Sequence, residues 1–182
     1  MTRILIAAMG MALAGTGPGC AGAPVENAQM SIKVETPSFQ DGGDIPVRFT
    51  CKGQNRSPAL HWQGAPANTK SLALTVTDPD APFHTFIHWV LYDLPAGTNR
   101  LPEGVPVEPQ LPDGSRQGMN GFDLVGYEGP CPGGSSPHRY VFTIYALDSK
   151  LGLKPKASEK ELRKAMAGHI LAEGKLVGRY HE

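Results

Sequence analysis

Four side chains that together could form an anion-binding site lie in two parts of the sequence that are far apart along the chain. They are Asp78, His88, His138 and Tyr140. An imidazolium ring and a phenol hydroxyl donate hydrogen bonds, and a nearby carboxylate raises the pKa of a histidine, so that the ring stays charged to higher pH. Such a group favours a phosphate or carboxylate ligand. A few charge-assisted hydrogen bonds, of about 1.5–3 kcal/mol each before ordering costs, support micromolar to millimolar affinity.

Two strands are expected to bring Asp78 and His88 to one end of a sheet. In the run 71–77 apolar residues alternate, and Asp78 falls on their side at the end of the strand. The run 86–93 is apolar throughout and rich in β-formers, which is typical of a central strand covered on both faces. If the two strands are antiparallel neighbours, Asp78 and His88 lie at the same end.

A third strand is expected to supply the other two groups. The run 139–147 resembles 86–93 in composition, and a loop rich in glycine and proline precedes it. His138 stands where this strand begins and shares a face with Tyr140, whereas Arg139 points to the opposite face. The acid, the two imidazoles and the phenol can therefore converge at one rim of the sheet.

The remaining elements indicate a mainly β fold, with sandwich-like antiparallel sheets and a C-terminal α-helix. Ser158 and Glu161 form a capping box at the start of the helix, an apolar stripe runs through it, and Gly174 is expected to close it. His169 lies on the stripe and is interpreted as a structural histidine. The segment 95–134 is expected to be loop with at most one short strand. Further strands are expected at 31–36, 45–50 and 175–181.

The composition limits the class of protein. The 182 residues suit one domain, and 40% hydrophobic with 19% charged residues is typical of a globular chain. A formal net charge of +0 gives no electrostatic footprint for nucleic acid, so none is expected as a partner.

The N-terminal segment 1–23 is interpreted as a signal peptide, with a single domain over 24–182. An uninterrupted run of small and apolar residues from 4 to 14 spans roughly 16 Å, about half of a bilayer core, so it is too short for a membrane helix. Cleavage at the A-x-A site 21–23 and lipidation of Cys20 both stay open. We therefore expect a periplasmic or extracellular protein, either free or anchored through Cys20, with no transmembrane segment in the mature chain.

Two cysteines, Cys51 and Cys131, remain after either route of processing. Export implies an oxidising compartment in which they could pair. Because sequence alone does not show that two cysteines are close, a disulfide and two separate buried thiols both stay open, and we favour separate thiols.

The order of several motifs resembles that of the phosphatidylethanolamine-binding proteins, also called Raf-kinase-inhibitor-like proteins, and in particular their bacterial YbhB/YbcL branch. The motifs are TDPDAP at 77–82, HW at 88–89 and GPCPGG at 129–134 leading into HRY at 138–140. FTCKGQNRSPALHW at 49–62 and ILAEGKLVGRY at 170–180 are similar to that branch as well. The resemblance covers the chain from about residue 30 to 181.

This resemblance implies a sandwich of two antiparallel sheets with a small surface cavity that binds phosphate-like anions and phosphorylated headgroups. Carried over by motif position, the ligand-binding residues are Asp78, Asp80, Pro82, His88, Gly129, Pro130, His138 and Tyr140. The sequence departs from the bacterial pattern GPCPP, because Gly133 follows Pro132 and residues 135–137 add length. We expect this departure to alter the floor of the cavity.

The same residues allow functions other than simple ligand binding. Asp78, His88 and His138 could bind a metal, but their spacing fits no compact metal motif, so no metal or cofactor is expected. The sequence has no G-x-S-x-G, H-E-x-x-H or P-loop motif, so no enzyme and no catalytic residue is predicted. The resemblance implies one alternative, inhibition of a protease or kinase through a protein contact. For an exported chain an envelope protease is the more plausible target.

Overall fold

Two antiparallel sheets form the framework of the protein. The computed structural model describes residues 31–134 and 136–182. The predicted signal peptide, the A-x-A site and Cys20 lie outside the described residues. Within them, one sheet has five strands and the other has three. This architecture confirms the predicted mainly β, sandwich-like fold.

The strand bounds, in chain order, are β1 Lys33–Glu35, β2 Leu60–Gln63, β3 Ser71–Asp78, β4 Phe86–Pro95, β5 Arg100–Leu101, β6 Arg116–Gln117, β7 His138–Leu147 and β8 Ile170–Tyr180. The large sheet has the order β6-β4-β3-β7-β8, and the small sheet has the order β1-β2-β5. Every pairing between these strands is antiparallel.

Both faces of the large sheet are covered, which explains the continuous apolar runs in its central strands. On the inner face, Leu74 and Phe142 pack in one cluster with residues of the small sheet such as Trp62. On the outer face, Ala73 and Val90 pack in a second cluster with the helix. All six residues from 71 to 76 are therefore buried, as expected for a strand between two layers.

The helix α1 spans Glu159–Met166 and is shorter than predicted. Its capping box is present, with the Ser158 hydroxyl accepting from the Glu161 amide. Gly168, at φ 81°, follows its last turn, and β8 begins two residues later. The expected end at Gly174 is therefore wrong. Gly174 lies inside β8, where a Cβ would be 1.9 Å from the Ile32 carbonyl oxygen, so the close approach of two backbones requires a glycine.

Three further expectations need correction. The segment 45–50 is not a strand, because Val47–Phe49 forms a single 3₁₀ turn. The segment 95–134 contains two short strands, β5 and β6, where one at most was expected. His169 lies outside the helix, and its Nδ1 is 2.7 Å from Oδ1 of Asp148 on the surface.

The register of β3 and β4 places Asp78 and His88 at the same end of the sheet. Asp78 pairs with Phe86, Thr77 with Ile87 and Val76 with Trp89, so His88 is the extra residue of a β-bulge. A bulge re-aims the side chain of the extra residue. On the other side of β3, Thr77 pairs with Val141 close to the start of β7. The end of β3 and the starts of β4 and β7 therefore meet, as the sequence predicted.

The eight residues of α1 are too few to cross a bilayer, and the described part of the chain has no other helix with the length and apolar character to do so.

Candidate functional site

A small cavity opens at the sheet end where these three strands meet. Its volume is about 170 Å³. The residues that line it come from the end of β3 and the loop after it, from β4, from the loop at 122, from the loop 131–133 and from β7. They are Asp78, Ala81, Pro82, Phe86, His88, Phe122, Cys131, Pro132, Gly133, His138 and Tyr140.

Asp78 fixes the ring of His138. The Asp78 carboxylate is buried, and its Oδ2 lies 2.7 Å from Nδ1 of His138. Its Oδ1 accepts a hydrogen bond from the Asp80 amide at 2.9 Å, which closes the turn after β3. A carboxylate only accepts hydrogen bonds, so Nδ1 of His138 carries the proton and Nε2 is the nitrogen left for a ligand.

A backbone carbonyl fixes the ring of His88 in the same way. The Nδ1 atom of this buried residue lies 2.7 Å from the carbonyl oxygen of Glu128. The ring packs edge-on against Tyr140 at 5.1 Å and lies 5.2 Å from the ring of Phe86. Burial in this aromatic setting lowers the pKa of His88 below its ordinary value, while the Glu128 carbonyl and the charge of Asp78 raise it by less. The ring is therefore held neutral to lower pH than a free histidine.

Tyr140 brings a hydroxyl group without a partner. Its side chain is 1% exposed, and its hydroxyl proton has no acceptor among the described residues, although the Cys131 amide lies close enough to its oxygen to lower the pKa slightly. Burial raises the pKa of the hydroxyl well above its ordinary value, so it stays a neutral donor. A buried hydroxyl without a partner carries a desolvation cost of about 1–3 kcal/mol. The hydroxyl can therefore donate a hydrogen bond that the described part of the chain does not accept.

Asn55 holds the backbone segment whose carbonyl contacts His88. The sequence did not predict this role. The Oδ1 atom of Asn55 accepts from the Gly129 amide at 2.8 Å, and its Nδ2 donates to the Glu128 carboxylate. Asn55 has φ 54°, a region that asparagine tolerates better than most residues. The two bonds hold the 128–129 peptide, and with it the carbonyl that orients His88.

A disulfide forms part of the wall of the cavity. Cys51 and Cys131 are bonded, so the preference for two separate buried thiols was wrong. The bond joins two segments that are 80 residues apart in sequence, and Cys131 lines the cavity. In the described part of the chain, Cys51, Cys131 and Glu182 form the one close group of potential metal ligands. Because the two sulfur atoms are bonded to each other, that group offers no thiolate.

Five of the eight residues expected to bind a ligand line the cavity, namely Asp78, Pro82, His88, His138 and Tyr140. Asp80, Gly129 and Pro130 do not. Asp80 lies outside, where Arg139 donates to its carboxylate at 2.7 and 2.8 Å. These hydrogen bonds from Arg139 lower the pKa of Asp80 to about 2. Gly129 packs on the backbone behind the cavity, where a Cβ would lie 2.1 Å from the Phe49 carbonyl oxygen.

Two aromatic lining residues were also missed. Phe86 lies two residues before His88 on β4, and residues at that spacing share a face, so the sequence carried a signal for it. Phe122 comes from a loop that runs beside the cavity, and its ring is 4.7 Å from that of Phe86. No local pattern indicates this second residue.

Comparison with known proteins decides the family. The model of the family described as phosphatidylethanolamine-binding protein matches residues 35–181. The chain belongs to the phosphatidylethanolamine-binding protein family. Members of this family are generally binding proteins, and this chain is a binding protein of that family.

Individual relatives span the same region. The chain is 49% identical over 149 residues to a UPF0098 protein of Methanothermobacter thermautotrophicus, which covers 82% of this chain and 98% of the relative. It is 37% identical over 150 residues to LppC of Mycobacterium tuberculosis, provisionally named a lipoprotein, with 82% of this chain and 72% of the relative covered. The crystal structure of YbcL of Escherichia coli, a member of the same family, superposes with a TM-score of 0.78 at 31% identity, covering 84% of this chain and 99% of YbcL.

Proposed function

We propose that this protein is an exported, non-enzymatic binding protein that holds a phosphate-bearing or other small anionic ligand in the cavity beside His88 and His138. The observation that carries the proposal is the buried Tyr140 hydroxyl, from which no residue among 31–134 and 136–182 accepts a hydrogen bond. It shares the cavity with two imidazoles whose Nδ1 atoms are already engaged. A cavity whose polar groups are oriented by the fold and still lack partners fits a polar ligand.

The size of the cavity limits what it holds. A volume of 170 Å³ corresponds to roughly five or six water molecules of about 30 Å³ each. That space suits a phosphate-sized group with a short substituent. The rest of a larger ligand would extend outward past Pro82 and Phe122.

Calorimetric titration tests this proposal. Inorganic phosphate and phosphoethanolamine are titrated into the mature protein and into the double variant His88→Ala/His138→Ala, after circular dichroism has shown that both are folded. We expect micromolar to millimolar binding by the wild type and at least a tenfold loss in the variant, since two charge-assisted bonds disappear. Equal binding by both proteins would show that the ligand sits elsewhere.

Export rests on the apolar run 4–14 and on the relative LppC, which is provisionally named a lipoprotein. The mass of the protein purified from its native envelope separates the two routes of processing. Cleavage after Ala23 gives an unmodified chain, whereas acylation of Cys20 adds the mass of the lipid.

A second candidate function, inhibition of an envelope protease, is favoured by one residue. Phe83 is 93% exposed on the loop that follows β3, and it comes directly after Pro82, which lines the cavity. Phenylalanine is one of the aromatic residue types enriched at protein–protein interfaces relative to the rest of the surface. A pull-down from envelope extract with wild type and Phe83→Ser tests this function. A stoichiometric protease retained by the wild type and lost by Phe83→Ser supports it.

A further inference from the structure

One segment of the chain carries a concentrated positive charge. Residues 150–164 contain six basic and two acidic side chains, a net charge of +4, in a chain whose formal net charge is +0. The remaining residues, with eleven basic and fifteen acidic side chains, therefore have a net charge of −4. All six basic residues of the segment are exposed, namely Lys150, Lys154, Lys156, Lys160, Arg163 and Lys164.

The five lysines of this segment lack the ion pairs that most other lysines make. Elsewhere in the described part of the chain, Lys33, Lys52 and Lys175 lie 2.6, 3.1 and 2.9 Å from a carboxylate oxygen. Among the described residues of the segment, one ion pair is present, and it joins Arg163 to Glu159. The charges of the five lysines are therefore free to act on an anionic partner.

The helix carries like charges on the side that faces away from the sheet. Leu162 and Met166 are its buried residues, and at 3.6 residues per turn Lys160 and Lys164 lie on the opposite side. Residues four apart are neighbours on a helix surface, and like charges at this spacing destabilise the helix. This pair therefore gives the surface a positive charge and lends the fold no stability.

The loop 150–157 is fastened to the large sheet by its backbone. The carboxylate of the buried Asp93 accepts from the Leu151 amide at 2.8 Å. The Tyr92 hydroxyl donates to the Lys154 carbonyl at 2.5 Å. These bonds fix the path of the loop beside the helix, so the lysines of both elements keep a defined arrangement.

The apolar residues between the lysines face inward. Leu151, Leu153 and Ala157 pack in the same cluster as the buried residues of the helix. Lys156 has φ 70°, a left-handed conformation that is uncommon for lysine, and its amide donates to the Gln117 carbonyl at 2.8 Å. The loop and the helix together form one layer on the outer face of the large sheet, which is apolar on its inner side and basic on its outer side.

We propose that this basic layer, which consists of the loop 150–157 and α1, binds an anionic lipid surface. Clusters of about four to eight basic residues on an amphipathic element are typical of segments that bind anionic lipids, and each lysine close to such a surface strengthens association about fivefold. A flat surface contacts one face of the protein, and at physiological salt the negative charges farther away than about 8–10 Å are largely screened. No residue of the layer lines the cavity, so this inference goes beyond the proposed function and does not depend on it.

The test is co-sedimentation of the unacylated mature protein with lipid vesicles. One set of vesicles is phosphatidylcholine with about one-third phosphatidylglycerol, and the other is phosphatidylcholine alone. We expect binding to the anionic vesicles and none to the neutral ones. Affinity should fall about tenfold or more between about 0.05 M and about 0.5 M salt, because salt screens exposed charges.

Two triple variants that change the net charge equally provide the matched comparison. They are Lys154→Gln/Lys160→Gln/Lys164→Gln in the basic layer and Lys33→Gln/Lys52→Gln/Lys175→Gln outside it. We expect the first to bind anionic vesicles about twentyfold or more weakly than the wild type, and the second to bind within about threefold of it. Phosphate calorimetry on the first variant should give the wild-type affinity, since its substitutions lie outside the cavity.

Three results would overturn this inference and leave the proposed function standing. The first is the absence of wild-type binding to anionic vesicles, and the second is an equal loss in both triple variants, which would show a dependence on net charge alone. The third is tighter binding of a short DNA duplex than of anionic vesicles at equal phosphate concentration, which would make a nucleic acid the partner. A loss of vesicle binding in His88→Ala/His138→Ala as large as that in the basic-layer variant would place the lipid in the cavity and also overturn the inference.

Discussion

The Nδ1 atom of His138 lies 2.7 Å from Oδ2 of Asp78, and this contact joins the end of β3 to the first residue of β7. Asp78 is buried and also accepts from the Asp80 amide. Its carboxylate therefore orients a ring and closes a turn, and these two roles account for an acidic residue inside a cavity that we expect to hold an anion.

Replacing Asp78 by asparagine should weaken phosphate binding although it removes a negative charge. The carboxamide holds the turn but no longer fixes the His138 ring firmly, so we expect about a fivefold loss of affinity, roughly 1 kcal/mol. Calorimetry with inorganic phosphate measures it. Asp80→Asn is the matched control: its carboxylate faces Arg139 outside the cavity, and we expect affinity within about twofold of the wild type. Tighter binding by Asp78→Asn would show that charge repulsion outweighs the orientation of His138.

His88 should make stability depend on pH. Its pKa is lowered in the folded state, mainly by burial, below the value of 6.5 that it has when unfolded. A neutral buried His88 therefore supports full stability above pH 6.5, and this contribution is lost as the pH falls through the folded pKa. The slope from one such group is at most about 1.4 kcal/mol per pH unit. Urea unfolding at a series of pH values should show that the unfolding free energy falls less steeply towards low pH in His88→Gln than in the wild type. Superimposable curves would show that His88 does not cause this pH dependence.

Removing the Asn55 side chain should loosen the orientation of His88. We choose Asn55→Gly because glycine accepts the positive φ of this residue, so the change removes the amide without straining the folded backbone. The variant should lose about 1–2 kcal/mol of unfolding free energy, because the Gly129 amide loses its partner. Nitrogen NMR of His88 should then show a mixture of tautomers. The exposed neighbour Gln54, changed to glycine, controls for added backbone freedom and should keep a single tautomer. An unchanged tautomer in Asn55→Gly would mean that the Glu128 carbonyl is held by other contacts.

The disulfide should contribute to both stability and binding. The variant Cys51→Ser/Cys131→Ser should lose about 2–5 kcal/mol of unfolding free energy, because the bond closes a long loop in the unfolded chain. Its phosphate affinity should also fall, since the segment 131–133 of the cavity wall loses its covalent link to Cys51 and keeps only the hydrogen bond from the Cys51 amide to the Pro130 carbonyl beside it. Wild-type protein kept reduced should behave like the variant. Full affinity in the reduced protein would show that the wall keeps its shape without the bond.

The sequence predicted the pairing of the central strands better than it predicted some other elements, for physical reasons. Alternation in 71–77 and the apolar run 86–93 defined β3 and β4, and their expected pairing is present. The segment 45–50 contains one fully buried apolar side chain at its 3₁₀ turn, Phe49, while Val47 is 55% exposed. One turn of 3₁₀ helix and a short strand cannot be told apart on so few positions.

The remaining incorrect or missing predictions concern the end of the helix and contacts between distant segments. The helix pattern continued past Met166 because β8 begins with apolar residues, and only the positive φ of Gly168 marks the change. The cysteine pair, the Asn55 bridge and Phe122 join segments far apart in sequence. No local periodicity reports such contacts, because they depend on the final path of the chain.

The most direct test of the central claim is to measure Tyr140→Phe beside Tyr92→Phe. The Tyr92 hydroxyl is satisfied on the other side of the sheet, where it donates to the Lys154 carbonyl and accepts from the Ala157 amide. Urea unfolding and phosphate calorimetry are applied to both variants. We expect Tyr140→Phe to be as stable as the wild type or up to about 1 kcal/mol more stable, and to bind phosphate at least fivefold more weakly. We expect Tyr92→Phe to lose about 1 kcal/mol of unfolding free energy and to bind phosphate with unchanged affinity. A destabilised Tyr140→Phe with wild-type affinity would contradict the claim that this hydroxyl donates a hydrogen bond to the ligand.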